Sequence, residues 1–452
     1  MNIDNIQSIY FIGIGGIGMS ALARFFKERG VAVSGYDRVA TPLTLQLQAE
    51  GMDIHYEDQV DLLNKDVQLV VYTPAIPATH VELNWYREQN YAVYKRADVL
   101  HWVTEKMYAI TVAGTHGKTT VATMIAHILR DSGFGCNAFL GGIASNYNKN
   151  YWGSTNEVAV IEADEYDRSF LKLSPDLAVL TSMDPDHLDI YGSAEAMVDA
   201  FVEYTANVKP GGCLLYKHGL KEGRRLLSDN KITYSMQNDA AGVYAAQVQI
   251  EEGGYHFDVI GKDWILPEVH LNIGGSHNVE NCVAAIAVAH ALEIDDALIR
   301  KAVASFRGVK RRFEYVLNTE RMVYIDDYAH HPEELATLIK SAKTLFPKRR
   351  CVIVFQPHLY SRTRDLATGF ARSLDAADEV LLLDIYPARE REIEGVSVEM
   401  IARQMGNPNH TILTKEGVLQ YAASAPLDLL ITAGAGDIDQ LVPQLKSIFE
   451  KK

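Results

Sequence analysis

Two spacings of apolar residues follow each other along the chain, and together they predict strands that alternate with helices. Residues 8–14 and 108–112 are short apolar runs of the kind that form buried strands, and residues 121–129 carry apolar side chains at helical spacing. Further strands are predicted at 31–37, 67–72, 158–161, 177–180, 322–325, 351–355, 379–384 and 427–432. This alternation favours an α/β fold with mostly parallel sheets.

A glycine-rich turn joins the strand at 108–112 to the helix that follows. It reads Gly114-Thr115-His116-Gly117-Lys118-Thr119-Thr120. Strand, glycine turn, Gly-Lys-Thr and helix in this order are typical of a phosphate-binding loop, in which the lysine neutralises phosphate charge and the next hydroxyl can bind Mg²⁺. The standard pattern needs a further glycine where this chain has Val112, so the loop is shorter. We predict nucleoside triphosphate binding, and the alternative is an ordinary strand-to-helix turn.

A second glycine-rich turn lies near the N-terminus, at residues 13–18. Asp37 ends the next predicted strand. The glycine turn and this acidic residue together complete a Rossmann fingerprint, and the fingerprint on its own indicates NAD binding. The strand at 67–72 then ends at Thr73 and Pro74, at the edge where open α/β sheets bind ligands. The chain therefore has two anion-binding units, and a dehydrogenase needs only the first of them.

Two strands of the central region end in acidic runs. Residues 162–167 read Glu-Ala-Asp-Glu-Tyr-Asp, and residues 184–187 read Asp-Pro-Asp-His. Carboxylate oxygens bind the hard cation Mg²⁺, which bridges them to phosphate oxygens. These runs therefore predict a magnesium site behind the phosphate loop, with solvated acidic loops as the alternative reading.

Polar residues also collect behind the strands predicted in the last third of the chain, at 326–332 and 356–364. Such strand ends form the binding edge of an α/β sheet. Upstream, the helix predicted from residue 276 begins with Asn278 and Asn281, whose amides either cap the helix or contact the edge of a base.

Composition restricts the class of protein. The 452 residues are too many for a single core and predict about three domains. An apolar content of 48% and a charged content of 22% are ordinary for a soluble enzyme, and a formal net charge of −15 argues against a nucleic-acid partner. We expect no membrane insertion, since the sequence has no long apolar run and no basic N-terminal signal. Four widely separated cysteines indicate reduced thiols in a cytoplasmic protein.

These motifs, in this order, resemble those of the Mur ligases. The resemblance extends over essentially the whole chain and is carried by Gly13 to Met19, Gly114 to Thr120, Glu162 to Asp167, Asp184 to His187, His277 to Asn281, Arg311 to Glu314, Asp326 to Pro332 and Gln356 to Thr363. One such motif is weak support, but eight in order are specific. The alanine-adding branch of the family is the most similar, since the region 200–208 has no lysine where other branches carry one.

The resemblance implies an ATP-dependent, amide-forming ligase with three domains. Residues 1–104 would form a Rossmann-like domain that binds a UDP-sugar, where the glycine motif alone indicates NAD. Residues 105–312 would form a central P-loop ATPase domain with a mostly parallel sheet. Residues 313–452 would form a Rossmann-like α/β domain that binds the amino acid.

Site residues are implied by the same resemblance. The UDP-sugar would be bound by Gly15, Gly16, Ile17, Gly18, Met19, Asp37, Thr73 and Pro74. ATP would be bound by Gly114, Thr115, His116, Gly117, Lys118, Thr119, Thr120, Asn278, Asn281, Arg312 and Asp327. Metal would be bound by Thr119, Glu162 and His187, and the catalytic residues would be Lys118, Glu162 and His187. The amino acid would be bound by Tyr328, His330, His358 and Arg362.

The implied substrates are UDP-N-acetylmuramate, L-alanine and ATP, with Mg²⁺ as cofactor and Mn²⁺ as a substitute, in a monomer or homodimer. In one position the chain departs from the family, since Leu359 replaces the arginine that usually follows Gln-Pro-His. Arg362 then carries more of the task of binding the amino-acid carboxylate, with Arg364 as a second candidate.

Three alternatives stay open. A recycling ligase would join the same UDP-sugar to a preformed peptide, and a nicotinamide dehydrogenase would use only the first glycine turn. A non-catalytic nucleotide switch would hydrolyse ATP without any amino acid.

Overall fold

The computed structural model describes residues 3–251, 253–388 and 390–451, which form two compact units. The first unit comprises residues up to 246 together with 258–269 and 280–303. The second comprises 247–257, 270–279 and the residues from 304 onward. The strands form three sheets that are mostly parallel, which confirms the predicted α/β class. The boundaries of the three predicted domains stay a prediction, and the first of them falls inside a helix.

The N-terminal sheet is wholly parallel, with strand order β3-β2-β1-β4-β5. Its strands are β1 (Ser8–Ile12), β2 (Ala32–Tyr36), β3 (Asp53–His55), β4 (Leu69–Tyr72) and β5 (Val93–Lys95). Its helices are α1 (Ile17–Glu28), α2 (Pro42–Ala49), α3 (Val81–Glu88) and α4 (Arg96–Lys106). The connections run to opposite sides of β1, so a crevice opens between the ends of β1 and β4.

The second sheet has ten strands in the order β15-β14-β13-β12-β11-β10-β6-β9-β7-β8. Its strands are β6 (Tyr108–Ala113), β7 (Asn137–Ala144), β8 (Lys149–Trp152), β9 (Val158–Glu162), β10 (Leu177–Leu180), β11 (Cys213–Lys217), β12 (Lys231–Ser235), β13 (Val243–Glu251), β14 (Gly254–Ile260) and β15 (Ile265–Leu271). Its helices are α5 (Lys118–Asp131), α6 (Leu188–Tyr191), α7 (Ala194–Ala206), α8 (His277–Ala291) and α9 (Asp296–Ser305). β6 lies between β9 and β10 and is parallel to both, so the phosphate loop and both acidic runs end at one sheet edge.

The third sheet has the order β16-β17-β21-β18-β19-β20, and only the edge strand β16 is antiparallel to its neighbour. Its strands are β16 (Glu314–Asn318), β17 (Val323–Asp327), β18 (Cys351–Phe355), β19 (Glu379–Leu382), β20 (His410–Ile412) and β21 (Leu429–Ala433). Its helices are α10 (Pro332–Leu345), α11 (Tyr360–Leu374), α12 (Glu399–Ala402), α13 (Lys415–Ser424) and α14 (Val442–Phe449). Short 3-10 turns lie at Ile3–Asn5, Val60–Leu62, Ser169–Lys172, Gly223–Arg225 and Asp437–Leu441.

Helix α1 connects the first two sheets within the first unit. The Phe25 ring lies 5.2 Å from that of Phe139 on β7. Arg24, only 3% exposed, donates to both carboxylate oxygens of Glu50 at 2.8 and 2.9 Å and also to Asn150 on β8. The Asn150 amide in turn donates to the Ile17 carbonyl at 2.6 Å. Apolar packing and a buried polar chain therefore fix β8 against the first glycine turn.

Among the helices of the described residues, none is both long and apolar enough to cross a membrane.

Candidate active site

The phosphate loop has a backbone that only glycine fits at two positions. Gly114 and Gly117 have φ of +131° and +82°, in the region that side chains disfavour. A Cβ on Gly114 would also lie 2.7 Å from the backbone nitrogen of Ser182. The Ser182 hydroxyl accepts from the His116 N–H at 2.8 Å and bonds the Thr115 hydroxyl at 2.9 Å. The end of β10 therefore holds the loop in shape.

Lys118 begins helix α5 and is held by two acceptors. Its Nζ donates to the Gly114 carbonyl at 2.6 Å and lies 2.8 and 2.7 Å from the two carboxylate oxygens of Glu165. Glu165 is 1% exposed, and burial raises the pKa of its carboxyl although the nearby Lys118 ammonium lowers it. Glu165 was not among the predicted site residues; it belongs to the acidic run 162–167, which the sequence indicates as a whole without distinguishing its members.

The predicted metal ligands Thr119 and Glu162 are adjacent. The Thr119 hydroxyl donates to Glu162 Oε1 at 2.8 Å, and Glu162 Oε2 accepts from the Gly141 N–H at 2.8 Å. His187 lies farther along the same edge, with Nε2 3.7 Å from Glu165 and its ring 5.0 Å from that of Tyr166. Two hard oxygen donors beside a lysine fit Mg²⁺ and a phosphate.

The other residues predicted for the nucleotide lie around this loop or in the second unit. His116 is exposed, 3.7 Å from Asp184, and Thr120 lies half-buried in the first turn of α5. Asn281 is buried against the loop, with Oδ1 3.1 Å from where a Cβ on Gly117 would lie. In the second unit, Asn278 donates from its amide to the carbonyl of residue 274 at 2.6 Å.

Asp327 is the last residue of β17, and Arg312 lies in the turn before β16. The Asp327 carboxylate accepts from the N–H of Phe313 at 2.6 Å and of Ala329 at 2.7 Å, and burial raises the pKa of Asp327 to about 6. Arg312 is exposed, whereas the neighbouring Arg311 turns inward and donates to the carbonyl of residue 436 at 3.4 Å. Arg311 therefore shapes the turn and leaves Arg312 accessible.

The first glycine turn borders a cavity of about 500 Å³ within the first unit. Its lining includes the predicted residues Gly16, Ile17, Gly18, Met19, Thr73 and Pro74, and also Arg96, Phe139, Glu162, Asp164, Tyr166 and Asp167. Gly15 and Asp37 do not line the cavity; instead the Asp37 carboxylate accepts from the Gly15 N–H at 2.7 Å. Asp37 therefore shapes the turn from behind, and Arg96 is a lining residue that the motifs did not indicate.

The four residues predicted for the amino acid are grouped at one edge of the third sheet. His330 lies between Tyr328 and His358, with ring centres 5.2 and 6.3 Å away. His358 stacks on Tyr386, and burial, assisted by the positive charge of Arg362, lowers the pKa of His358. Within the described part of the chain, His358 Nδ1 and Arg362 Nη1 are buried without a hydrogen-bond partner. Such atoms favour an anionic ligand here.

Leu359 has an unusual backbone for a branched residue, with φ of +72°. Its N–H donates to the Tyr386 carbonyl at 2.9 Å, and its carbonyl accepts from Thr363. These bonds fix the start of α11 and thereby the position of Arg362 one turn later.

Three family models match the chain. The model for the Mur ligase family, catalytic domain, matches residues 8–108, the Mur ligase middle domain matches 112–289, and the Mur ligase, glutamate ligase domain, matches 311–436.

Similar proteins cover the full length of the chain. The UDP-N-acetylmuramate–L-alanine ligases of Cytophaga hutchinsonii and Parabacteroides distasonis are 45% and 47% identical, over 100% of this chain and 99% of each relative. The structure of UDP-N-acetylmuramate-alanine ligase from Thermotoga maritima has a TM-score of 0.82 and 28% identity, covering 98% of this chain and 99% of that one. A murein peptide ligase from Psychrobacter arcticus shares the fold, with a TM-score of 0.67 and 22% identity over 99% of each chain.

The buried carboxyl of Asp326, next to Asp327, predicts a pH dependence of stability. Asp326 is 1% exposed and accepts from Thr432 at 2.6 Å; burial raises its pKa from 3.8 to about 7. The unfolded chain ionises this group near its ordinary pKa, so its contribution to stability is full below pH 4 and is lost as pH rises to 7. We expect the free energy of unfolding of the wild type, relative to Asp326→Asn, to fall by about 1.4 kcal/mol per pH unit in this window.

Calorimetry at pH 4, 5.5 and 7 measures this difference. Asp378→Asn is the control of opposite sign: burial opposes ionisation there, but the Lys343 ammonium 2.8 Å away lowers the pKa of Asp378. The contribution of Asp378 is present above its ordinary pKa and is lost as pH falls. A pH-independent difference for Asp326→Asn would contradict the prediction.

Proposed function

This chain belongs to the Mur ligase family, and we propose from that premise that it joins L-alanine to the lactyl carboxylate of UDP-N-acetylmuramate, with ATP converted to ADP and phosphate. The reaction supplies a peptidoglycan precursor. The relatives that match over the full chain support this substrate pair. The observation that carries the chemistry is the group of Lys118, Thr119 and Glu162 at one sheet edge, with the last two 2.8 Å apart.

Neither a dehydrogenase nor a peptide-recycling ligase is favoured. A dehydrogenase would use the first glycine turn but not a phosphate loop built around Lys118, Glu165 and Thr119. The recycling ligase shares the fold with this chain at 22% identity, whereas alanine-adding relatives reach 47% over nearly their whole length.

The chemistry requires activation of a carboxylate, because an oxyanion is a very poor leaving group. A carboxylate oxygen of the UDP-sugar attacks the γ-phosphorus of ATP, and ADP leaves. The amine nitrogen of L-alanine then attacks the acyl carbon, phosphate leaves with the bonding electron pair, and the amine loses a proton. We propose that Lys118 neutralises the charge of the transferred phosphate, for which its side chain turns from Glu165 toward the nucleotide. His187 and His330 are the candidates for accepting the proton.

Mg²⁺ would be held by Thr119 and Glu162, with His187 farther along the same edge. The hydroxyl and carboxylate oxygens 2.8 Å apart fit a hard cation. When bound, Mg²⁺ supplies positive charge that neutralises phosphate oxygens, and Mn²⁺ has a similar preference for oxygen ligands.

We assign the L-alanine pocket to Tyr328, His330, His358 and Arg362, and the adenosine contacts to Asn278, Asn281, Arg312 and Asp327. The unpartnered Nη1 of Arg362 supports binding of the amino-acid carboxylate. We also propose a cytoplasmic location for the enzyme as a monomer or homodimer; the four free cysteines, three of them buried, suit a reducing compartment.

An ADP-release assay tests the proposed function. We expect turnover to require L-alanine and UDP-N-acetylmuramate together, because phosphate transfer needs the sugar carboxylate and completion needs the amine. Lys118→Ala should abolish turnover. ADP release without any amino acid would indicate a nucleotide switch, and turnover with a preformed peptide but not with L-alanine would indicate a recycling ligase.

Replacement of either proposed metal ligand should raise the Mg²⁺ requirement. Thr119→Ala and Glu162→Ala each remove one oxygen ligand from a hard cation, so we expect half-maximal activity at about tenfold higher Mg²⁺ or more. The control is Glu157→Ala, which removes an exposed acidic residue just before β9. Unchanged Mg²⁺ titrations in both variants would place the metal elsewhere.

Arg362→Lys should selectively weaken the binding of L-alanine. A guanidinium binds a carboxylate through two parallel hydrogen bonds, which an ammonium cannot reproduce, so the KM for L-alanine should rise roughly ten- to a hundredfold. The KM values for ATP and UDP-N-acetylmuramate should change little. Arg364→Lys tests the second candidate: because Arg364 is exposed and paired with Asp365 at 2.7 Å, we expect the KM for L-alanine to stay unchanged in this variant, and a rise there instead of in Arg362→Lys would place the carboxylate against Arg364. An equal rise in all three KM values would indicate disturbed folding instead.

A further inference from the structure

Helix α11 begins at a residue that cannot cap it. Its N-cap is Leu359, whose side chain carries no hydrogen-bond acceptor, and its first turn reads Tyr-Ser-Arg-Thr, with no acidic residue. The first N–H groups of a helix have no partner within the helix and are commonly satisfied by the side chain of the N-cap residue. Because Arg362 lies in this turn, the group that caps α11 also determines where its guanidinium lies.

The carboxylate of Glu390, from a distant part of the chain, supplies the missing acceptor. Its Oε2 accepts from the N–H of Ser361 at 2.9 Å, and its Oε1 accepts from the Ser361 hydroxyl. The bond from the hydroxyl and the bond from the N–H hold the pKa of Glu390 below its usual range. The helix dipole also favours a negative charge at this end of α11. Glu390 therefore acts as the cap that Leu359 cannot provide.

The backbone before the helix makes this cap necessary. Leu359 has a φ of +72°, which a branched side chain disfavours, and such a conformation persists only where the surrounding contacts outweigh its cost. The carbonyl of Tyr386 accepts from the Leu359 N–H at 2.9 Å, and the Tyr386 N–H donates to the carbonyl of Pro357 at 2.8 Å. Tyr386 therefore holds the chain before α11, and Glu390 holds it inside the first turn.

The same part of the chain also supports the second polar group of the proposed amino-acid pocket. The ring of Tyr386 stacks on that of His358, with ring centres 5.9 Å apart and planes inclined by 17°. Within the described residues, His358 Nδ1 and Arg362 Nη1 are buried and have no hydrogen-bond partner. Both groups that are available to an anionic ligand are thus supported by residues that follow β19.

We propose that Glu390 is a positioning residue for the amino acid: by capping the first turn of α11, it holds the Arg362 guanidinium in the orientation that binds the substrate carboxylate. This role rests on the proposed function, in which Arg362 binds L-alanine. Glu390 acts through Ser361, to which both of its carboxylate oxygens are bonded. Its loss should therefore lower the affinity for the amino acid and leave the phosphate transfer on the second sheet unaffected.

Steady-state kinetics in the ADP-release assay test this role. Glu390→Gln removes the charge and one of the two acceptor oxygens, so the KM for L-alanine should rise about tenfold, whereas kcat and the KM values for ATP and UDP-N-acetylmuramate should change little. Ser361→Ala removes only the bond from the hydroxyl and should give a smaller rise in the same KM. Glu392→Gln is the matched control, because it removes the same charge from an exposed residue two positions later.

A double variant separates the positioning of Arg362 from a general structural role. If Glu390 acts through Arg362, Glu390→Gln should add little to the KM for L-alanine once Arg362→Lys is present. Additive effects would overturn the proposal, and so would an unchanged KM for L-alanine in Glu390→Gln. A rise in all three KM values with a lowered unfolding temperature, in both Glu390→Gln and Ser361→Ala, would likewise overturn it. The proposed function fails separately, if the wild type releases no ADP on addition of L-alanine.

Discussion

The position of the cavity beside the first glycine turn depends on a buried arginine. Arg24 of helix α1 is paired with both oxygens of Glu50 and with the Asn150 amide, which in turn holds the Ile17 carbonyl. Hydrophobic packing is not directional and would permit α1 to rotate against β8. A buried cation with all its partners in place permits one arrangement, because any rotation leaves charge or hydrogen-bonding groups unpaired. The walls of the cavity are thereby set by a polar contact behind them.

The sequence predicts those parts of the fold that are determined by residues close together in the chain. The structure contains the strands β1 and β6, the glycine turns that follow them and the helices after those turns. In each case the apolar spacing and the glycines that predict the unit lie within one short segment. Helix α1 begins at Ile17, inside the glycine-rich turn at residues 13–18, since the extended Gly16 serves as its N-cap. Strand order and sheet number could not be read in this way, because both depend on pairing between distant segments.

The site shows the same division between local and long-range information. Thr119 lies in the first turn of α5, which follows β6, and Glu162 is the last residue of β9. Their adjacency follows from the parallel order of β6 and β9. The buried pairing of Glu165 with Lys118 could not be predicted, because every acid in the run 162–167 has the same chemistry and only packing distinguishes them. Asp37 is the opposite case, a residue that the sequence indicates but that does not line the cavity. Its spacing fits the fingerprint, and its carboxylate accepts from the turn outside the cavity.

Lys118 has a counter-ion of its own in Glu165, and this affects which anions the loop can retain. To bind Lys118, a small anion such as chloride or a single phosphate has to displace the Glu165 carboxylate, which is buried and already in contact with the lysine. Because Glu165 belongs to the same chain, the effective concentration of this carboxylate beside Lys118 is very high. In the proposed ATP site, a nucleotide would gain further contacts through the loop N–H groups and through its base, and these would compensate for the lost ion pair. The loop therefore resists occupation by the inorganic phosphate that the reaction itself releases, and this favours departure of that product.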